Sequence, residues 1–247
     1  MTVIAHSSET RSLLTSRVDR YVHFDRASRL YLEWQLQQFL PHIGQRVLEV
    51  GCGVGSIIEL LGVRELICGI DVDEEVLAYT ANRFPDRERY DFRLLDFSVL
   101  SPSEITSMSE TGFDTIISLN VLEHIRDDAA ALRAMREIVR PGGYLVLLVP
   151  AHPALFGEYD RLDGHFRRYT KKTFSAVLRS AGFTCYSLRY FNALGAFGWW
   201  AKYKLLRKSI HDSGDFELMN AAIPFLRPLE RMIPPPFGLS VTAIVTR

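Results

Sequence analysis

The sequence predicts an α/β protein built around a mainly parallel sheet, and three observations lead to this prediction. Short apolar segments rich in β-branched residues alternate with helical patterns through the first three quarters of the chain, which is typical of a sheet covered by helices. These segments are nearly all apolar, as expected for strands that are buried on both faces. The first segment also runs directly into a glycine-rich turn and a helix.

The predicted elements follow one another in a regular order. An amphipathic helix at residues 26–40 precedes the first strand and ends at Pro41. Five strands are predicted at residues 46–50, 66–70, 91–95, 114–119 and 144–149. The helices between them are predicted at residues 56–61, 73–83 and 127–139, and the Pro-Gly-Gly sequence that follows is a stop signal for the last one.

The chain changes character after the fifth strand. Residues 151–170 form a polar stretch with two histidines and three arginines, and a loop of this length inside a domain is usually functional. A helix at residues 171–181 and strands at residues 183–190 and 239–246 complete the pattern. The expected domains are an N-terminal helical cap at residues 1–45, a core at residues 46–190 and 239–247, and a lid insertion at residues 191–238.

Charge and cysteine content exclude several classes of protein. The 247 residues include 29 basic and 29 acidic ones and are 47% hydrophobic, which indicates a globular protein and argues against a general nucleic-acid binder. Three widely spaced cysteines without a CxxC pair predict neither a disulfide framework nor a zinc site. The N-terminal residues lack an apolar signal core, and no apolar run approaches the roughly 20 residues that span a bilayer. We therefore expect a cytoplasmic protein.

The strongest functional signal is the turn after the first strand, in which Gly51, Gly53 and Gly55 alternate with other residues. Glycines allow the backbone to turn sharply and to approach a ligand closely. A dinucleotide-binding turn would need a third glycine or an alanine where this chain has Ser56. Glu49 adds a negative charge that is unfavourable beside a pyrophosphate and compatible with a cationic ligand.

Five motifs in a fixed order carry a family resemblance. They are ExGxGxG at 49–55, GIDVD at 69–73, LLDF at 94–97, FDTIISLNVLEHI at 113–125 and RPGGYLVLLVP at 140–150. Over residues 47–182 the chain resembles the class I S-adenosylmethionine-dependent methyltransferases. The resemblance implies a Rossmann-like sheet of seven strands in the order 3-2-1-4-5-7-6, with strand 7 antiparallel and helices on both faces.

The resemblance also implies S-adenosylmethionine as cofactor and S-adenosylhomocysteine as product. The glycines then lie under the methionine and ribose portions, and Asp71 accepts hydrogen bonds from the ribose diol. Asp96 binds the adenine amino group with Phe97 beside the ring, or it is a loop carboxylate that caps a backbone turn. Asn120 lies near the amino-acid end of the cofactor. The full predicted cofactor set is Glu49, Gly51, Cys52, Gly53, Gly55, Asp71, Val72, Asp96, Phe97 and Asn120.

The candidate acceptor site is the segment after the fifth strand, since ligands bind at this edge of an open α/β sheet. Its GHxRRY pattern at residues 164–169 is similar to a subgroup of these methyltransferases with functions in surface-polysaccharide or glycolipid synthesis. His165 is predicted as the base or as a residue that orients the acceptor, and Tyr169 as a catalytic or a core residue. Arg167 or Arg168 is predicted to bind a carboxylate or phosphate of the acceptor.

Asp160 completes the predicted substrate-binding set. A structural alternative is that Arg168 pairs with Asp160 or Asp163 and only holds the loop in place. His152 follows the fifth strand and is predicted either to reach the pocket or to belong to a turn.

No metal site is predicted. Some methyltransferases that bind a divalent metal carry ExxEH after the fourth strand, whereas this chain has Asn120 in place of the first acid and keeps only Glu123 and His124. An oxygen-ligand set reduced in this way is a poor site for a hard metal ion. His124 is therefore interpreted as a helix-end residue near the cofactor.

Residues 191–210 combine aromatic and basic side chains. This pattern predicts either a lid helix packed on the sheet or an interfacial segment, because Trp, Tyr and Lys favour the headgroup region of a membrane. The expected partner is a small-molecule or lipid-linked acceptor, with no nucleic acid. The protein is expected to be a monomer or a homodimer, with peripheral membrane contact through this segment as one alternative.

The predicted function is S-adenosylmethionine-dependent O-methylation of a small-molecule or lipid-linked, glycan-containing acceptor. Methyl transfer from a sulfonium is an in-line displacement, so the enzyme mainly positions the nucleophile and excludes water. A base is needed only if the acceptor must lose a proton. The alternatives are an NAD-dependent oxidoreductase and a non-catalytic methyltransferase-like scaffold.

Overall fold

A seven-stranded sheet forms the centre of the computed structural model, which describes residues 16–201 and 213–247. The strand order is β3-β2-β1-β4-β5-β7-β6, and β7 runs antiparallel to both of its neighbours while the other pairs are parallel. The strands are β1 Arg46–Val50, β2 Leu66–Asp71, β3 Tyr90–Leu94, β4 Thr115–Leu119, β5 Tyr144–Pro150, β6 Cys185–Phe191 and β7 Ser240–Thr246. The predicted fold class is confirmed, and the strand ends differ from the predicted ones by at most two residues.

The observed helices agree with the predicted helices less closely than the strands do. The α-helices of the described residues are α1 Arg17–Gln37, α2 Ser56–Leu61, α3 Glu74–Arg83, α4 Pro102–Glu110, α5 Asp128–Ile138, α6 Glu158–Leu162, α7 Lys171–Ser180, α8 Ala193–Trp200 and α9 Ser213–Met232. Helix α1 begins well before the predicted residue 26, because Ser16 caps it. The Ser16 hydroxyl oxygen accepts a hydrogen bond from the Asp19 N–H, and the Asp19 carboxylate accepts one from the Ser16 N–H. The predictions missed α4, which Ser101 and Glu104 cap in the same way, and α6, which lies in the predicted loop.

Helices cover both faces of the sheet. Successive strand residues point to opposite faces, so Leu145 and Leu147 join one apolar cluster whereas Val146 and Leu148 join another. The first cluster includes residues of α4, α5 and α7. The second includes residues of α1, α2, α3 and α9. The site is therefore left to the loops at the sheet edge, since both faces are occupied.

The N-terminal helix contacts two other parts of the molecule. The Asn220 side chain of α9 donates a hydrogen bond of 2.9 Å to the Ala27 carbonyl of α1. At its first turn, Arg17 forms an ion pair with Asp73, two residues beyond the end of β2. Helix α1 thus joins α9 to the carboxyl edge of the sheet.

The proposed division into cap, core and lid stays a prediction. Residues 1–15 of the cap and 202–212 of the lid lie outside the described residues. Among the described helices, none has the length and apolar character needed to cross a membrane.

Candidate active site

The turn after β1 leaves room for a ligand at one of its glycines. Gly51, Gly53 and Gly55 have φ angles of 77°, 52° and 81°, a region that glycine adopts at little cost. A Cβ atom at Gly51 or Gly55 would lie within 2.6–2.7 Å of a neighbouring side chain, whereas one at Gly53 would meet no atom within 4 Å. The turn is therefore packed at both ends and open at its middle.

Asp71 holds this turn against the end of β2. Its Oδ2 accepts a hydrogen bond of 2.9 Å from the Gly53 N–H, and its Oδ1 accepts one of 3.0 Å from the Asp73 N–H. Each carboxylate oxygen has two lone pairs, so both keep capacity for a ligand hydroxyl. The structure brings together Asp71 and the glycine turn, as predicted from their spacing.

Glu49 places a buried carboxyl group beside the turn. Glu49 is 4% exposed, and its Oε2 has no hydrogen-bond partner. Burial, reinforced by the charge of Asp71, raises the pKa of Glu49 well above its ordinary value. A cationic ligand would stabilise the ionised form of this group. Cys52 is also buried, and burial raises the pKa of its thiol.

The predicted adenine-side residues lie in different environments. Val72 is 52% exposed and Asp96 is exposed, so both are accessible at the carboxyl edge. One Asp96 oxygen accepts a 2.8 Å hydrogen bond from the Ser98 N–H, which is the turn-capping role that the sequence left open. Phe97 belongs to the main apolar core. Its ring is therefore a packing group in this structure rather than an open stacking surface.

Asn120 completes the edge at the end of β4. It is exposed, and its φ of 55° turns the chain away from the strand. The next residue, Val121, lies against Gly51, because a Cβ on that glycine would be 2.6 Å from the valine Cγ2. The loops that follow β1, β2 and β4 therefore lie side by side at the carboxyl edge of the sheet.

A family comparison agrees with this arrangement. A family model described as a methyltransferase domain matches residues 8–188, which include the glycine turn, Asp71 and Asn120. The chain belongs to this methyltransferase family. Its fold is that of the class I S-adenosylmethionine-dependent methyltransferases, as the sequence motifs implied.

Relatives of known name support the same family over part of their length. Juvenile hormone acid O-methyltransferase of Bombyx mori is 32% identical over 126 residues, which are 49% of this chain and 44% of that protein. Ubiquinone biosynthesis O-methyltransferase of Thiobacillus denitrificans is 29% identical over 117 residues, or 47% and 48% of the two chains. This chain thus spans about half the length of the curated relatives it matches.

Solved structures share the fold. An S-adenosylmethionine-dependent methyltransferase from Mesorhizobium loti has a TM-score of 0.60 at 18% identity, and the match covers 87% of this chain and 98% of that one. At this identity the likeness concerns the fold alone.

In this methyltransferase-domain protein, the segment after β5 is organised around Asp160. This side chain is fully buried. Its Oδ1 accepts hydrogen bonds from His165 Nδ1 at 2.8 Å and from Arg168 Nε at 2.6 Å, while its Oδ2 accepts one from the Gly157 N–H at 2.9 Å. Burial opposes ionisation, but the bonds from His165 and Arg168 lower the pKa of Asp160. Asp160 therefore holds three parts of the loop together as an anion.

His165 is a cation in this arrangement. Its other ring nitrogen, Nε2, lies 3.1 Å from Asp163 Oδ2. Although burial alone would lower it, the bonds to Asp160 and Asp163 raise the pKa of His165 to about 9. Both nitrogens then carry protons at neutral pH, so the imidazole does not accept one. With both ring nitrogens engaged by carboxylates, the arrangement favours the orienting role predicted for His165 over the base role, and both roles stay predictions.

Asp160 and Arg168, which were both predicted to contact the substrate, bond to each other in this structure, and their substrate role stays a prediction. The Arg168 side chain is 2% exposed, pairs with Asp160, and lies with its guanidinium carbon 4.5 Å from the Trp199 ring centroid. This is the loop-holding alternative. Arg167 is 31% exposed and forms a 2.8 Å ion pair with Asp128.

Tyr169 lies in the core. The residue is 2% exposed, and its hydroxyl donates a 2.7 Å hydrogen bond to Asp128 Oδ2. Burial and the charge of Asp128 raise the pKa of Tyr169 above its usual range. Of the two roles predicted for Tyr169, this arrangement favours the core role, and the catalytic role stays a prediction.

The sequence did not anticipate that Glu123, His124 and His165 would meet. One carboxylate oxygen and two ring nitrogens of these residues lie within 4.8 Å of one another. Glu123 is 1% exposed, neither of its oxygens has a partner, and burial raises its pKa to about 7. Burial and the charge of His165 lower the pKa of His124 to about 3. Carboxylate and imidazole are ligand types that suit divalent transition metals, and the predicted absence of a metal stays a prediction.

His152 is a neutral imidazole at the end of β5. Its φ is 60°, its ring stacks on Tyr190 with a centroid distance of 5.0 Å, and its buried Nε2 has no partner. Burial and the charge of Arg168 lower the pKa of His152. The signal in the sequence was its position directly after a buried strand.

Proposed function

We propose that this protein transfers the methyl group of S-adenosylmethionine to an oxygen atom of a small-molecule acceptor. The observation that carries the proposal is the meeting of the loops at the carboxyl edge of β1, β2 and β4, where Asp71 binds a glycine turn that is open at Gly53 and Glu49 supplies a buried carboxyl oxygen without a hydrogen-bond partner. The names of the two O-methyltransferase relatives support transfer to oxygen.

The residues fit a sulfonium nucleoside. Gly53 leaves the space over the turn free of side chain, Asp71 retains acceptor capacity for the ribose hydroxyls, and Glu49 compensates a positive charge. Asn120 binds at the amino-acid end. Asp96 uses one oxygen in its turn and offers the other to the adenine amino group.

Methyl transfer requires the protein mainly to position the acceptor oxygen against the cofactor. The bound cofactor supplies an activated methyl group, and the transfer needs an acceptor oxygen in line with it and no competing water. An acceptor carboxylate needs no base. For an acceptor hydroxyl, the candidate base is His152, whose imidazole is neutral and whose buried Nε2 has no hydrogen-bond partner. Protonated His165 and Asp160 instead hold the acceptor-side loop in place.

The proposal extends to the type of acceptor, to membrane contact and to the oligomeric state. The GHxRRY pattern supports a lipid-linked or glycan-containing acceptor, and the aromatic and basic residues at 191–210 support peripheral contact with a membrane from the cytoplasmic side. Residues 202–210 of that segment lie outside the described part of the chain. A monomer or homodimer is proposed as the functional unit.

Calorimetry tests the cofactor assignment. We expect saturable binding of S-adenosylhomocysteine and none of NAD, and the Asp71→Ala variant loses the binding. Binding of NAD alone would overturn the proposal in favour of an oxidoreductase. Labelled methyl transfer to candidate acceptors tests catalysis, because a scaffold binds the cofactor without turnover.

A further inference from the structure

Thr80, near the end of α3, is a fully buried polar residue in contact with the glycine turn. Its hydroxyl oxygen lies 2.6 Å from the Gly53 carbonyl oxygen and 3.0 Å from the Val76 carbonyl oxygen. A threonine inside a helix ordinarily bonds to the carbonyl four residues earlier, which here is that of Val76. The contact with Gly53, 27 positions earlier in the chain, is therefore not one that the helix itself requires.

The hydroxyl proton of Thr80 is directed mainly to Gly53. A hydroxyl has one proton to donate, and O–H···O hydrogen bonds have oxygen–oxygen distances of about 2.7–2.8 Å. Two oxygens at 2.6 Å repel each other unless a proton lies between them. Val76 is the weaker of the two acceptors because its carbonyl is farther away. Thr80 thus donates to the glycine turn in preference to its own helix.

Gly53 is held at both of its backbone polar groups. Its N–H donates to Asp71 at 2.9 Å, and its carbonyl accepts from Thr80. Asp73 links these two partners, because its N–H donates to Asp71 and its carboxylate caps α3. Gly53 has no side chain and a φ of 52°, so nothing in the residue itself fixes its conformation. Asp71 and Thr80 together fix it.

The rest of the turn also depends on the end of α3. A Cβ atom at Gly55 would lie 2.9 Å from Thr80 Cγ2 and 2.7 Å from Phe84 Cε2. The Thr80 methyl group therefore packs against Gly55 while its hydroxyl binds Gly53. Arg83 donates a hydrogen bond to the carbonyl of Val54, which lies between the two glycines. The last turn of α3 thus contacts three successive residues of the glycine turn.

We propose that Thr80 is a positioning residue for the cofactor, because its hydroxyl holds Gly53 in the conformation that leaves the middle of the turn open. The inference rests on the proposed placement of S-adenosylmethionine against this turn. A segment that is already ordered loses less conformational entropy when a ligand binds. Without the hydroxyl, the Gly53 carbonyl loses this partner and the turn must be ordered at the expense of binding. Thr80 acts through Gly53, so it affects the affinity for the cofactor.

Two substitutions separate the hydroxyl of Thr80 from its methyl group. Thr80→Val keeps the shape of the side chain and removes the hydroxyl, whereas Thr80→Ser keeps the hydroxyl and removes the methyl group. We expect calorimetry to show that Thr80→Val weakens S-adenosylhomocysteine binding about tenfold, since one hydrogen bond to the turn is lost. Thr80→Ser should bind with an affinity close to that of the wild type, even if the lost packing lowers its stability.

Thr106→Val is the matched control. Thr106 is exposed in α4, and its hydroxyl donates at 2.9 Å to the Pro102 carbonyl four residues earlier. This substitution removes a helical threonine bond far from the glycine turn in the sequence, and it should leave the affinity unchanged. Thermal unfolding of all variants measures their stability, because a purely structural role of Thr80 would lower stability without a change in affinity.

The outcomes distinguish this inference from the proposed function. Equal affinities of the wild type and Thr80→Val would overturn the inference alone. Equal weakening by valine and serine would also overturn it, because packing of the methyl group would then determine the affinity. Failure of the wild type to bind S-adenosylhomocysteine would overturn the proposed function and the inference together. If Thr80→Val does not fold, Thr80→Ser is compared with Thr80→Ala, since these two variants differ only by the hydroxyl.

Discussion

Asp160 and His165 form a buried pair in which the carboxylate Oδ1 lies 2.8 Å from the imidazole Nδ1. The same oxygen also accepts from Arg168, so one anion is shared between two cations. This relationship places a charged, hydrogen-bonded cluster inside the loop after β5. It predicts how the protein responds to pH and to loss of either partner.

Stability falls as pH rises through the His165 titration. The pKa of this group is raised from 6.5 to about 9 in the folded protein, so its contribution is fully present below about pH 6.5 and is lost as the pH rises through about 9. We expect His165→Gln to flatten the fall in unfolding free energy over this interval. Urea unfolding in EDTA at several pH values measures it, and parallel profiles for the two proteins would contradict the assignment.

Loss of the Asp160 charge leaves Arg168 buried without its partner. We expect Asp160→Asn to reduce the unfolding free energy by about 3 kcal/mol, because an uncompensated buried charge is costly. The control is Asp86→Asn, whose carboxylate lies 3.9 Å from Arg89 with both side chains well exposed and whose loss costs below about 1 kcal/mol. Similar effects from the two substitutions would show that the Asp160 network contributes little.

We expect binding of S-adenosylmethionine to strengthen as the pH rises. The raised pKa of Glu49 keeps this carboxyl protonated in the free protein at lower pH, and a cation favours its ionised form, so binding releases a proton. We expect Glu49→Gln to weaken binding about tenfold at high pH and to remove most of the pH dependence. Calorimetry in buffers of different ionisation enthalpy measures the proton release. S-adenosylhomocysteine is the control ligand, since it lacks the sulfonium charge and its affinity changes less with pH.

Gly53 is needed for the ligand as well as for the turn. Gly53 and Gly112 have φ angles of 52° and 73°, and a Cβ at either position meets no atom within 4 Å. Alanine at either position should reduce the unfolding free energy by about 1–2 kcal/mol because of the left-handed backbone. Only Gly53→Ala should also weaken S-adenosylhomocysteine binding. Equal affinities of the two variants would place the ligand elsewhere.

We expect methyl transfer to need no divalent metal. Both ring nitrogens of His165 are engaged by Asp160 and Asp163, which leaves Glu123 and His124 as the free ligands of the cluster, fewer than the three or four that hold zinc in proteins. We expect turnover to be unchanged by EDTA and titration with Zn²⁺ or Mn²⁺ to give no saturable heat. Saturable binding that Glu123→Gln abolishes would reverse this prediction.

The cofactor side of the molecule was predictable because its signals are local in the sequence. The glycine turn and Asp71 lie at the ends of two adjacent buried strands, and parallel strands bring such ends to one edge. The position of Phe97 was not predictable in the same way, since only the packed structure shows that its ring is in the core.

The acceptor side was less predictable because its residues find partners across the fold. The pattern containing His165 and Tyr169 predicted catalytic roles for both residues. The Tyr169 hydroxyl instead donates a hydrogen bond to Asp128, which lies 41 positions earlier in the chain. Likewise, spacing did not place His165 beside Glu123 and His124. Helix α4 was missed because its capping box at Ser101 and Glu104 was not recognised as a start signal.

Strand β7 follows α9 in the chain, yet it lies between β5 and β6 and pairs with both. During synthesis on the ribosome, β6 therefore has no neighbour in the sheet until residues 240–246 have emerged. The end of β5, where His152 begins the acceptor-side loop, is likewise unsupported on one side until then. Until β7 has been synthesised, β6 and the outer side of β5 are unpaired strand edges, and such edges are prone to wrong association in a folding chain.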